Sequence, residues 1–355
     1  MKLLLAGLLG FLAAAPALAA DPSPALKEVI AAASKEGKLD IQWASNLVGG
    51  RDGLKAMTDG MNAMFGTKIE LRFTPGPNLN DIMNTIVLSA DAGRPSPTDL
   101  AIGSNQHASE LWKRGVSLKV DWKALLPDRI QAESIEADGT AIRVFTTLPG
   151  GIVYNPQKVP YPPTKLTDLL KPEWKGKIAS TPYASGFDLL AASDMWGEEK
   201  ALEFARTLSK QISGLIRCNE LERIASGEFI AYEMDCIGRE WLSLARAGAP
   251  VQHVVPEDLP GQRFYYMVVP KNSKAPNAAE LFITFLETHE GQELIWKYAD
   301  TDLHTYPDGH MWNEVKAYED KGIKFKQFTI EWFNAHPEAL ATLRKVIPIL
   351  TGAAQ

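Results

Sequence analysis

The chain has 355 residues, a formal net charge of −6 at pH 7, 45% hydrophobic and 23% charged residues, and two cysteines. That length is too great for one hydrophobic core and suits two. Acidic and basic residues are interspersed without a polybasic run, which argues against nucleic acid or an anionic membrane surface as partner.

Residues 1–20 carry Lys2, an apolar run from Leu3 to Phe11, and small residues ending Ala17-Leu18-Ala19-Ala20. This is the layout of a cleavable export signal, too short and wrongly flanked for a stable membrane span. No cysteine follows it, so no lipid anchor is expected, and the expectation is a soluble periplasmic protein. An Ala-rich helix from Ala25 to Glu36 stops at Gly37. Leu39 to Trp43 reads as a strand opening into the polar loop Ala44 to Gly50. An amphipathic helix follows, with Leu54, Met57, Met61 and Phe65 three or four residues apart. Next come a strand from Lys68 to Phe73, the loop Thr74-Pro75-Gly76-Pro77, a helix from Leu79 to Ala90, a strand from Thr98 to Gly103, and a helix starting at Ser104-Asn105-Gln106. Strands alternating with helices predict parallel sheets wound by right-handed crossovers.

Gly151 to Tyr154 is a short apolar strand, and prolines at 160, 162 and 163 keep the following run extended and on the surface. Beyond it are a strand from Lys177 to Ser180, a helix from Gly186, a helix from Glu198 to Lys210, and a strand from Gly214 to Arg217. A short helix (Glu220 to Ser226), a strand (Phe229 to Met234), a helix (Gly238 to Ala247) and a strand (Val251 to Val255) complete the second half. Arg263 to Val269 is a strand expected to return to the first half, followed by a helix from Ala278 to Glu287. The final helix carries Leu340, Leu343, Ile347 and Leu350 near helical spacing.

The chemistry of an enzyme is not written in the sequence. Gly176-Lys177-Ile178 lacks the glycine and hydroxyl of a phosphate loop, and no Gly-x-Ser-x-Gly elbow occurs. His289-Glu290 has no second histidine, and Asp300, Asp302 and His304 lack the glycine and glutamate of a calcium loop. No catalytic residue, metal site or cofactor is expected.

Gly151-Ile152-Val153-Tyr154-Asn155 followed by Asp168-Leu169-Leu170-Lys171-Pro172-Glu173-Trp174-Lys175-Gly176-Lys177-Ile178 resembles the segment entering the second lobe of periplasmic solute-binding proteins of ABC transporters. The group is the one that contains the ferric-ion, polyamine, thiamine and phosphonate binders. Weaker similarity runs over residues 36 to 300, and Ala279 to Leu286 is similar to a helix that packs on the family's first lobe. The resemblance implies an α/β, two-lobed, type II-like fold with two parallel or mixed sheets and a hinge. Lobe 1 would comprise residues 21–145 with 265–300 returning to it, and lobe 2 residues 146–264; residues 301–355 would form a C-terminal helical appendage. It implies a monomer that captures a small-molecule solute in the interlobe cleft and hands it to an inner-membrane permease. A ferric-ion carrier, or an exported enzyme or sensor subunit on the same scaffold, is the alternative.

By position in the family pattern, the cleft residues are Trp43, Ser45, Asn46, Thr74, Ser104, Asn105, Thr181, Tyr183, Ser185, Gly186, Glu233, Asp235, Arg239 and Tyr265. The loop from Thr181 to Gly186 is the strongest on physical grounds, because a polar loop opening a helix offers free N–H groups to an anion. The plainer reading makes Ser185 an ordinary helix cap. Tyr265 and Tyr266 cannot both face the cleft, since strand side chains alternate. The family's ferric binders use an adjacent tyrosine pair near the position of Cys236-Ile237-Gly238, where this chain has none, so iron is disfavoured. Glu233 and Asp235 leave a cationic solute open, and Arg217 and Arg239 leave an acid open. Cys218 and Cys236 form either a disulfide closing a small loop or two buried thiols.

Overall fold

The computed structural model describes residues 21–45 and 47–352; residues 1–20, where an export signal is expected, and Asn46 lie outside the described residues. Lobe 1 opens with α1 (Pro24–Glu36), whose first turn is capped by the Ser23 hydroxyl accepting from the Leu26 N–H. Gly37, at φ 67°, ends the helix in the left-handed conformation. β1 (Lys38–Trp43) buries every second residue, Leu39, Ile41 and Trp43, and pairs in parallel with β2 (Glu70–Pro75) across α2 (Gly50–Phe65). α3 (Leu79–Asp91), β3 (Ala101–Ser104), α4 (Asn105–Lys113), α5 (Trp122–Leu125), β4 (Ile135–Glu136) and β5 (Ala141–Thr147) follow.

The chain then crosses to lobe 2 through Leu148 to Gly151. There it lays down β6 (Ile152–Tyr154), β7 (Ile178–Ser180), α6 (Phe187–Leu190), α7 (Gly197–Leu208), β8 (Ile212–Leu215), α8 (Glu222–Ala225), β9 (Ala231–Tyr232), α9 (Glu240–Arg246) and β10 (Gln252–Val254). The sheet order is β10-β6-β9-β7-β8. Between β6 and β7, the proline-rich run ends in two short 3-10 turns rather than a full helix. Trp174 anchors them, fully buried, with its indole N–H donating 3.0 Å to the Tyr161 hydroxyl. α6 is likewise a single turn.

β11 (Gly261–Val268) brings the chain back and pairs antiparallel with β3 and β5 in lobe 1. The two five-stranded sheets are therefore mixed, while β1 and β2 form a separate parallel pair. β6 and β11 arrive directly from the other lobe, with no β-α crossover to return them to the same end of the sheet, so β6 runs against β9 and β10 and β11 runs against β3 and β5. α10 (Pro276–Leu286) and α11 (His289–Ala299) cover lobe 1, and α10 buries Leu281, Phe282, Ile283, Phe285 and Leu286 in its core.

The remaining segment holds α12 (His310–Glu319), β12 (Lys326–Phe328), α13 (Ile330–Ala335) and α14 (Pro337–Leu350). It includes a strand as well as helices: β12 extends the lobe-1 sheet in parallel beside Gly261 to Arg263. α13 lies on α4 of lobe 1, and α14 lies on α6 and α7 of lobe 2. The aromatics Phe328, Trp332 and Phe333 pack into the lobe-2 hydrophobic cluster. Among the described residues, no helix is long and apolar enough to cross a membrane.

Candidate functional site

β11 forms the floor between the lobes. Along it, Gln262, Phe264 and Tyr266 are buried, while Arg263 and Tyr265 are only half-buried on the opposite face. Strand alternation assigns the tyrosine pair: Tyr266 points into the core and donates 2.8 Å to Glu136 Oε1. Tyr265 faces the cleft, its ring stacked on Phe145 with centroids 4.7 Å apart and planes at 16°. The register against β5 shifts between these two tyrosines, the irregularity by which a strand re-aims a side chain.

Across from Tyr265 stands Ser104. Its backbone N–H donates to His107 Nδ1 at 3.2 Å, so that nitrogen is unprotonated and Nε2, 2.9 Å from Asn80 Oδ1, carries the hydrogen. Burial and the positive charge of Arg263 lower the His107 pKa to about 4, leaving it neutral. Arg263 reaches from the floor to the Asp188 carboxylate on α6, an ion pair that joins the two lobes. Its Nε is buried without a partner.

The lobe-2 wall begins where β7 runs into Thr181 to Gly186. Thr181 Oγ1 accepts from the Ser185 N–H at 3.0 Å, and Ser185 Oγ lies 3.1 Å from Cys236 Sγ. Ser185 does not cap α6, whose N-cap is Gly186 with no side-chain bond. Gly186 sits at φ 80°, and a Cβ there would come within 2.9 Å of the Met234 sulfur, so the tight loop demands glycine. Tyr183 stands 45% exposed on this loop. Cys218 and Cys236 are bonded, with Cα atoms 5.8 Å apart, and Cys236 Sγ also lies 3.3 Å from the Tyr232 hydroxyl.

Three carboxyls complete that wall. Glu233 and Asp235 are buried, and Glu240 starts α9. Asp235 is sewn to the chain crossing: its N–H donates to Gly151 O at 2.7 Å and its carbonyl accepts from Gly150 N–H at 2.9 Å. Asp235 Oδ1 accepts from the Ile237 N–H, and the Asp235 and Glu240 carboxyls lie against each other. Burial pushes all three carboxyls upward, and the Asp235 charge raises Glu240 further.

Several positions expected in the cleft lie elsewhere. Trp43 is 1% exposed inside the lobe-1 core, where β1 alternation puts it beside Leu39 and Ile41. Asn105 is buried and donates to Phe328 O and Thr329 O, pinning the β12–α13 turn. Arg239 is turned away from the wall: Nε donates to Asp300 O and Nη1 to Glu314 Oε2, both at 2.7 Å. Ser45 is exposed on the loop after β1, and Thr74, expected in a loop, is exposed within the last residues of β2. Arg263, Asp188, His107, Phe145 and Glu240 join the site without having been singled out. For Arg263 the signal was available, since it lies two residues from Tyr265 on one strand and must share its face.

A concavity of about 1320 Å³ lies on lobe 1 among Trp112, Lys119, Trp122, Arg143 and Glu331. Its buried ionic groups, Arg143 and Glu136, are paired with each other at 2.6 Å. Among the described residues, no group of three or more His, Cys, Asp and Glu is arranged to hold a metal ion.

Two α/β lobes joined at crossing strands, with polar and aromatic side chains meeting between them, define a hinged binding clamp. Residues 56–304 match the family of bacterial extracellular solute-binding proteins, and the chain belongs to that family. Solved structures similar to it include the substrate-binding protein of an ABC transporter from Agrobacterium tumefaciens, at TM-score 0.71 and 17% identity, covering 93% of this chain and 98% of that one. Another is the periplasmic binding protein AfuA from Actinobacillus pleuropneumoniae with fructose-6-phosphate bound, at TM-score 0.66, 19% identity and coverage of 89% and 99%. The apo ferric ion-binding protein A of Pasteurella haemolytica has TM-score 0.66, 16% identity and coverage of 88% and 98%. Identities this low establish the shared fold. A curated relative, an uncharacterized protein of Haemophilus influenzae, is 25% identical over 186 residues, which is 50% of this chain and 52% of that protein, so the match spans about half its length.

Proposed function

We propose that this protein is the periplasmic capture subunit of an ABC importer, holding a small solute between its lobes as a monomer and presenting the closed form to a permease. The observation that carries this reading is the Arg263–Tyr265 face of β11: a strand belonging to lobe 1 directs an aromatic and a guanidinium into the cleft, and the guanidinium bonds lobe 2 at Asp188. Ser104, Tyr265, Ser185, Glu233 and Asp235 contact the solute, and Tyr183 borders the entrance. A solute touching both walls binds the closed form better than the open one and shifts the equilibrium by that difference in affinity. Ser104 Oγ lies 3.0 Å from Nδ1 of the neutral His107, whose Nε2 is held by Asn80 Oδ1; membership of the solute-binding family favours carriage over catalysis.

Thermal-shift titration of the mature protein, after unfolding and refolding to strip bound solute, tests the proposal. A saturable rise in Tm with one solute class, reduced in Tyr265→Ala, is expected. A panel of amines, acids, sugars, sugar phosphates and metal ions that leaves Tm unchanged would reject it.

A further inference from the structure

We infer that residues 326–350 are a proton-sensitive strap between the lobes, in which His336 and Lys326 grip Asp194 and set how readily the clamp opens. The chain passes from lobe 1 to lobe 2 before β6, returns before β11, and crosses a third time where α13 meets α14. On the lobe-1 side, β12 pairs with Gly261 to Arg263, the Ile330 N–H donates 2.7 Å to Glu136 Oε2, and the Ser109 hydroxyl donates 2.5 Å to Asn334 Oδ1. On the lobe-2 side, Glu338 Oε1 accepts from the Ser193 N–H at 3.2 Å and from its hydroxyl at 3.0 Å. Glu198 there accepts from Thr342 at 3.1 Å and from Lys345 at 2.6 Å. His336 is the joint: its backbone leaves the helical region at φ −123° and ψ 56°, and Pro337 keeps the two helices from fusing.

Asp194, in the lobe-2 loop after α6, receives three groups from the segment that lobe 1 holds. Lys326 forms an ion pair with it, and the Trp332 indole N–H donates to its two oxygens at 3.2 and 3.1 Å. His336 Nε2 lies 3.2 Å from Asp194 Oδ1. On the other edge of the same ring, Nδ1 donates 2.7 Å to Trp332 O, and the ring stacks on the Trp332 indole with centroids 4.7 Å apart. Carbonyl and carboxylate oxygens only accept, so a neutral imidazole, with one N–H, satisfies one of them and turns a lone pair toward the other. The imidazolium satisfies both.

The charged groups around the ring are Asp194 from lobe 2, Lys326 from β12 and Glu338 from α14. Burial raises the Asp194 carboxyl, but hydrogen bonds from Lys326 and Trp332 and the charge of His336 bring it below the usual carboxylate range. Burial likewise works against Glu338, and its backbone and Ser193 hydrogen bonds together with His336 bring it down. Both carboxylates stay charged near neutrality, so the ring is the group whose charge changes between pH 5 and 8. Of the six histidines, all within the described residues, His107, His253 and His304 are held neutral by burial, at about 4, 3 and 4. His289 and His310 pair with Asp308 and Glu293, outside lobe 2. Only His336 reaches from the lobe-1 side of the strap to a lobe-2 carboxylate. The strap is therefore complete at acid pH and loses its His336–Asp194 contact as pH rises, so opening releases a proton and acid holds the lobes together.

Small-angle scattering of the mature protein, stripped of solute and measured at pH 5.5 and pH 8, reads the strap with no solute present, so its outcome is independent of solute capture. The expected result is a larger radius of gyration at pH 8. His336→Gln, which carries no charge, should show the larger radius at both pH values. Asp194→Asn keeps the ring and removes its partner, and should do the same while still melting cooperatively. A wild-type radius that does not change with pH overturns the inference, and so does a pH dependence that survives in either variant.

Discussion

Breaking the Cys218–Cys236 bond should loosen lobe 2 and the cleft wall together. The bond spans a sequence separation of 18, and closing a loop of that size in the unfolded chain is worth about 3 kcal/mol in the chain-entropy model. If lobe 2 melts as its own unit, at about 4 °C per kcal/mol the loss lowers its Tm by roughly 12 °C. The bond also fixes a sulfur within 3.1 Å of Ser185 Oγ and 3.3 Å of the Tyr232 hydroxyl, so it positions two cleft hydroxyls. Cys218→Ser removes the crosslink and leaves the Cys236 sulfur in place; Cys236→Ser removes both. Scanning calorimetry should therefore show a similar fall in Tm for the two variants and for reduced wild type, with solute affinity falling further in Cys236→Ser. An unchanged Tm on reduction, or full alkylation of both thiols in the folded protein without reductant, would refute the reasoning.

Glu287 is buried in lobe 1, where Tyr306 donates 2.5 Å to its Oε2 and burial pushes its pKa up to about 8. Because the folded value exceeds the unfolded one, stability is full at acid pH and is lost as pH rises through about 8. Glu287→Gln should flatten that loss, by about 1.4 kcal/mol for each pH unit between the two values, in urea melts from pH 5 to 9; an unchanged pH slope would count against it. Gly186→Ala forces a methyl toward Met234 at a positive φ and should cost about 1–3 kcal/mol, read by thermal melting, with weakened solute binding. Asp188→Asn cuts the interlobe ion pair and should raise the radius of gyration of the ligand-free protein in small-angle scattering, whereas an unchanged radius would show that the pair does not hold the lobes.

Most elements were legible from local patterning because their cues are local. Gly37 ends α1, Asn78 caps α3 by accepting from the Asp81 N–H, and alternation marks β1. Strand direction was not legible, since β6 and β11 are oriented by where the chain crosses between lobes and not by their own residues. The site divided along the same line. Ser104 sits at the end of β3 and Tyr265 opposite it in the middle of β11, but Asn105 and Arg239 are claimed by Phe328, Thr329, Asp300 and Glu314. Those partners lie far along the chain, in or beside the segment where family similarity fades. Trp43 was readable as core from the period of β1; its place at a strand end pointed the other way.

The central claim is closure of two lobes on a solute between Ser104 and Tyr265 on one side and Ser185 and Asp235 on the other. Small-angle scattering of the stripped mature protein, before and after saturation with the solute that most raises its Tm, tests this most directly. A fall in radius of gyration that disappears in Tyr265→Ala is the predicted result; identical scattering curves with the solute bound would contradict the clamp.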